Sequence, residues 1–145
     1  MGASDDIHRL QRFVDAQNEV FEEVRSELGA GRKTSHWIWF IFPQIKGLGH
    51  SATAREFAIL SRDEAAAYAA HPILGPRLRE CTRLVNSIEG RAIVQILGTP
   101  DDLKFRSSMT LFAKVCPDDP IFTAAIGKYY GGEFDQLTLD LLRSG

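Results

Sequence analysis

The chain has only two cysteines, Cys81 and Cys116, 35 positions apart and in no CxxC pair. That excludes a disulfide scaffold, and structural zinc needs ligands at closer spacing, so free thiols are expected. No run of about 18 apolar residues exists to read as a membrane span. A strong charge of either sign is missing too. The net charge of −2 and the pI near 6.1 argue against a nucleic-acid polymer as partner, because such binders carry a basic surface. The first residues, Met-Gly-Ala-Ser-Asp-Asp, show neither an apolar h-region nor an Arg-rich amphipathic stretch, and a cytoplasmic location is the expectation. His8, His36, His50 and His71 have no HxxxH-type spacing, so neither a metal nor another cofactor is expected. There is no GxSxG elbow for a hydrolase triad.

What is present suits one globular domain spanning 1–145, with 44% hydrophobic and 25% charged residues. Ile7, Leu10, Phe13, Val14, Phe21, Val24 and Leu28 recur at helical spacing, predicting one long first helix capped by Ser4 or Asp5 and stopped at Gly29. Residues 36–50 fit neither helical nor strand period and contain Pro43, giving a short buried element at 36–42 and then a glycine-rich loop. Ser51 opens a short helix to Leu60, and Ser61 with Glu64 forms a capping box ahead of an alanine-rich helix. Further helices follow: one opened by Pro76, one from Thr99-Pro100 to Val115, one from Asp119-Pro120 to Gly131, and one after Asp135 with Leu137, Leu141 and Leu142 inward. Residues 92–97 read as helix or strand. The expected fold is mainly α, a single compact domain of about seven helices, with room for a very small β element joining 36–42 and 92–97.

Charge is segregated along the chain. Residues 29–55 contain no Asp or Glu, where the chain average would place about 3.5. They hold Arg32, Lys33, Lys46 and Arg55, while the equally acid-free stretch 103–117 holds Lys104, Arg106 and Lys114. Two positive segments in an otherwise acidic chain point to a small anionic metabolite. Packed segments that simply exclude acids are the plainer reading.

Both tryptophans fall in 37–42 with Phe40 and Phe42. Strand-like alternation would separate Trp37 and Trp39 from Phe40 and Phe42, one pair entering the core and the other walling a pocket. Gln44, Lys46, Gly47, Gly49 and His50 follow, and the glycines allow backbone amides to approach an anion. On the helix after Thr99, Lys104, Ser107 and Ser108 share a polar face at i, i+3, i+4. Gly29–Thr34 imitates the end of a P-loop but has Arg32 where glycine must precede the lysine, and Gly47–Ala52 matches GxGxxA without a strand leading in.

Ser35-His-Trp-Ile-Trp-Phe-Ile-Phe-Pro-Gln44, Gly47-Leu-Gly49, Ser51, Ala58-Ile59, His71-Pro72, Leu74, Arg77-Leu78, Asp102, Lys104, Ser107-Ser108 and Thr110-Leu-Phe112 together resemble the DUF1810 family of uncharacterised proteins. The resemblance implies a compact, largely helical domain and no established reaction. Phe57 stands where that family commonly has tyrosine. Some members carry a calpastatin label, which does not suit a chain with the apolar content of a globule. A fainter likeness is to NADAR proteins, which process N-glycosidic bonds in ADP-ribose- or riboflavin-related compounds.

The expected function is binding of a phosphorylated, nucleotide-like small molecule. Trp37, Trp39 or Phe42 would stack on the base, and Lys46, His50 and Lys104 would hold the phosphate. Gln44, Ser107 and Ser108 would bond ribose or base edges. If the protein is an enzyme, N-glycosidic hydrolysis is expected, with Glu56 orienting water toward an oxocarbenium-like centre. The alternative is a non-catalytic interaction module, or a homodimer, using an exposed Trp-rich segment.

Overall fold

The computed structural model describes residues 6–144 and shows, among them, ten helices and no strand. They are α1 (Gln11–Asn18), α2 (Phe21–Gly29), α3 (Ile38–Ile41), α4 (Ala52–Glu56), α5 (Arg62–Ala70), α6 (Leu74–Ser87), α7 (Ile93–Leu97), α8 (Asp101–Val115), α9 (Pro120–Tyr130) and α10 (Gln136–Ser144). The mainly α reading holds, with a larger helix count than seven.

Helix α8 runs through the centre and packs against α3, α5, α7, α9 and α10. Its stretch from Ser107 to Ala113 is buried without interruption, because partners surround it on all sides. Two chains of stacked rings tie the core together. Phe13, Tyr68, Phe112 and Phe122 follow one another at 5.0, 5.6 and 5.7 Å between centroids. Trp37, Phe42 and Phe105 do so at 6.3 and 4.8 Å.

The single long first helix is two. The break lies between Asn18 and Phe21, and it lets α1 pack on α3 while α2 packs on α6, two directions that one straight rod could not serve. Gln17 anchors the joint from the inside: its Nε2 donates to Phe40 O and Tyr68 Oη. Asp6 supplies the first cap, accepting from Leu10 N and Gln11 N at 2.6 and 3.0 Å, whereas Ser4 and Asp5 lie outside the described residues. Ile7 is 81% exposed and does not join the apolar stripe.

Residues 36–42 form the one-turn α3 and residues 92–97 contain α7, so no sheet joins them. The β element lies elsewhere, as a parallel bridge between Ile45 and Ile59. Lys46 N donates to Ile59 O and Ile59 N to Gln44 O, at 2.7 and 2.9 Å. Because α3 is helical, alternation does not sort its rings. Trp37 and Phe42 are fully buried, while Trp39 and Phe40 are half-buried.

The Ser51 and Ser61 caps form, each side chain accepting from the backbone three residues on, but the return half of the expected capping box does not, because the Glu64 carboxylate accepts from Leu60 N and from Arg12 instead. In α10, Leu137 is 52% exposed and Thr138 takes the inner position, bonding Asp135. Cys81 and Cys116 are free thiols; burial pushes Cys81 up to about 12 and raises Cys116, so neither is a thiolate near neutrality.

Candidate functional site

A half-open cleft of about 90 Å³ lies against the Ile45–Ile59 bridge. Trp39, Leu48, Ala54, Phe57 and Leu60 wall it, and Gln44, Lys46 and Arg55 are its polar side chains. Ile45, Gly47, Gly49 and Ala58 complete the lining, so every contributor comes from residues 39–60.

Local geometry builds it in three steps. The bridge fixes the backbone on both sides of Ile45 and directly at Lys46. Gly47 turns with φ at +107°, a conformation that side chains resist. At Gly49 a Cβ would sit 2.7 Å from Ala54 Cβ, so glycine is what lets the loop lie on α4.

Arg12, which the sequence did not single out, fastens the other side. Its five N–H groups all find acceptors: His8 O, Arg9 O, Glu56 O, Ala58 O and Glu64 Oε2, between 2.7 and 2.9 Å. Three of these partners lie at 56, 58 and 64, so one buried guanidinium from α1 holds the segment that carries Phe57 and Ala58.

Trp39 is held from its face. Lys104 Nζ lies 3.8 Å from the ring centroid, a cation–π contact, and Asp101 accepts from Lys104 at 3.4 Å. The same carboxylate pairs with Lys33 at 2.6 Å, and Lys33 lies 4.9 Å from the centroid of Trp37. Asp101 thus joins two ammonium groups, each over one of the two indoles.

Glu27 organises the approach to α3. Its carboxylate accepts from Thr34 N, Ser35 N, Ser35 Oγ and Trp37 Nε1 at 2.6–3.1 Å. Partial burial pushes this carboxyl up, but the four hydrogen bonds outweigh it and leave it at about 2.

Of the residues singled out in the sequence, Trp39, Gln44, Lys46, Gly47 and Gly49 meet in the cleft. The others do not. Trp37 is sealed in the core with its Nε1 on Glu27, and Phe42 is edge-on to Phe105. His50 is exposed outside the lining. Lys104 reaches the cleft only through Trp39. Ser107 donates to Asp135 Oδ2 and ties α8 to α10; Ser108 is wholly buried, its Oγ without a partner. Their polar face is therefore interior, because α10 covers that side of α8. Glu56 is half exposed, paired with Arg9 at 3.3 Å, and is not part of the lining.

The basic windows resolve in the same way. Lys33 and Lys104 share the one carboxylate of Asp101, Arg106 donates to Glu133 O and Phe134 O, and Lys114 lies over Phe134. Arg32, Lys46 and Arg55 remain; Arg32 is exposed away from the cleft, and the other two line it. Among the described residues neither Lys46 nor Arg55 has a carboxylate within salt-bridge distance, and no acid lines the cleft. Arg55 and Phe57 were missed as lining residues. Both sit on or next to α4, where one turn of helix is too short to reveal a face. Among the described residues no group of His, Cys, Asp and Glu is arranged to hold a metal ion, and no helix is long and apolar enough to cross a membrane.

A family model described as "Protein of unknown function (DUF1810)" matches residues 7–142. The chain belongs to the DUF1810 family. A solved structure of the conserved hypothetical protein Rv1873 from Mycobacterium tuberculosis is similar, at 53% identity and a TM-score of 0.94 over 95% of this chain and 99% of that one. No curated protein matches the chain. Of the residues that carry the DUF1810 resemblance, two groups stand out. Trp37, Ile38, Phe42, Leu74, Leu78 and Phe112 pack in the core, and Trp39, Gln44, Gly47, Leu48 and Gly49 line the cleft.

Proposed function

We propose that the Trp39 cleft binds a phosphorylated small molecule with a flat, nucleotide-like ring. The supporting observation is the pairing of an aromatic and aliphatic wall with two cations, Lys46 and Arg55, that no carboxylate among the described residues pairs with. An apolar slot with a few convergent polar groups is the usual form of a small-molecule site. The ring would lie among Trp39, Leu48 and Phe57, with Gln44 bonding its polar edge. Gln44 suits that task because its amide both donates and accepts.

The reading is one of binding. No Asp, Glu, His, Ser or Cys lines the cleft, so no carboxylate there can orient water for glycosidic cleavage. N-glycosidic hydrolysis would require Glu56 to leave Arg9 and turn inward. Glu56→Gln with unchanged ligand affinity and no loss of any turnover would remove that step. An interaction module built on the Trp-rich segment has less support, since Trp37 and Phe42 offer no exposed surface.

Thermal-shift measurements with millimolar nucleoside monophosphates test the proposal. Stabilisation by at least one of them, lost in the Lys46→Ala/Arg55→Ala double variant, is the expected result. No stabilisation by any of them overturns it.

A further inference from the structure

A second hollow of about 190 Å³ adjoins the first and shares Ile45, Lys46 and Leu60 with it. Its remaining lining is Ser61 and Arg62 at the start of α5, with Leu141 and Leu142 of α10. We infer that the ligand's phosphate sits in this second hollow, between Lys46 and Arg62, while its ring occupies the first. The inference rests on the proposed ring site and adds where the anionic group goes and which residue selects for it.

Four observations carry it. The first hollow, at about 90 Å³, is small beside the roughly 300 Å³ at which small-molecule sites usually begin, so a ligand with both a ring and a phosphate extends beyond it. Lys46 borders both spaces, and the bridge to Ile59 holds its backbone in place. Arg62 has no hydrogen-bond or ion-pair partner among the described residues. The nearby acids do not compensate it from within the hollow: Glu64 is committed to Arg12, and neither it nor Asp63 contributes to the lining. Two cations facing one acid-free space fit a dianionic monoester better than a single carboxylate, because each can donate a charge-assisted hydrogen bond to separate oxygens.

Calorimetric titration of the full chain with AMP, GMP, CMP and UMP, each beside its parent nucleoside, tests the inference. For the best-binding pair, the monophosphate is expected to bind about tenfold more tightly than the nucleoside, or better. Arg62→Gln should bring that ratio close to one while leaving nucleoside affinity unchanged, since Arg62 does not touch the first hollow. A ratio untouched by Arg62→Gln overturns the placement of the phosphate and leaves the ring site standing. Absence of binding by every nucleotide and nucleoside overturns both. Because Arg62 is exposed, the variant is expected to fold. As a check in the unmodified chain, methyl resonances of Leu141 should move with the monophosphate and stay still with the nucleoside; equal movement with both counts against the inference.

Discussion

Lys104 places its ammonium 3.8 Å from the centre of the Trp39 ring, and this contact sets how α8 supports the cleft. Lys104 does not line the cleft itself, so it acts through the indole. Lys104→Met keeps the length of the chain and removes the charge. A loss of about 1 kcal/mol in ring ordering is expected, read as broadened Trp39 indole signals and a fall of a few-fold in ligand affinity. Unaltered signals would show that the contact positions nothing.

Lys33 is 5% exposed at its side chain and Asp101 is its carboxylate partner at 2.6 Å. Removing one member of a buried pair leaves the other charge uncompensated, at a cost of about 3–5 kcal/mol. Asp101→Ala should therefore lower stability in chemical denaturation by about that amount. The Lys33→Met/Asp101→Ala double variant should recover most of the loss, and failure to recover it would mean that Asp101 matters chiefly through Lys104.

Glu27 gives a pH signature. Its carboxyl lies well below the ordinary value of 4.5, at about 2, so the folded state holds the ionised form more tightly than the unfolded state does. The contribution is complete above about pH 4.5 and is lost as pH falls toward about 2. Glu27→Gln should flatten stability against pH across that window, because an amide carries no titrating charge and has one acceptor oxygen for four donors. Denaturation curves at several pH values give the comparison; parallel slopes in both proteins would exclude Glu27 as the source.

Arg12→Lys keeps the charge and discards the planar fork that reaches five acceptors. With Glu56 O and Ala58 O losing their donor, the expected cost is about 3 kcal/mol. Faster amide exchange at Lys46 and Ile59 should accompany it, since the bridge loses its support. Slow exchange retained at both would show the bridge to be self-sufficient.

Gly49→Ala adds a Cβ where only 2.7 Å separates it from Ala54 Cβ. The loop must lift off α4. The expected outcome is loss of ligand binding with far-UV circular dichroism preserved, as the helices of the core do not depend on this approach.

The legible parts of the fold were those with local causes. The Ser51 and Ser61 caps, the start of α9 at Asp119-Pro120 and its stop at Gly131 are each written within four residues. The break between α1 and α2 was not legible, because it answers to packing on α3 and α6 rather than to any Gly or Pro. The inward Ser107 and Ser108 were hidden for a related reason: a polar side chain reads as surface until a distant Asp135 arrives to cover it. In the site, Trp39, Gln44, Lys46, Gly47 and Gly49 were identified because they are contiguous. Trp37 was included on the same grounds and belongs to the core, since only the burial of its ring and the bond to Glu27 distinguish it from Trp39. Arg12 and Arg62 were missed because their partners and neighbours come from other segments.

Every wall of the cleft derives from residues 39–60, yet the same stretch sends Ile41, Phe42, Ile45 and Ile59 into the core, so cleft and scaffold are built from alternate side chains of one segment. Substitutions at Trp39, Gln44, Lys46 or Leu48 would alter the cleft wall alone, whereas those at Ile41, Phe42, Ile45 or Ile59 would reach α8 and the core as well. The cleft can therefore drift in sequence only at those outward positions, with its inward ones held by the packing of the whole domain.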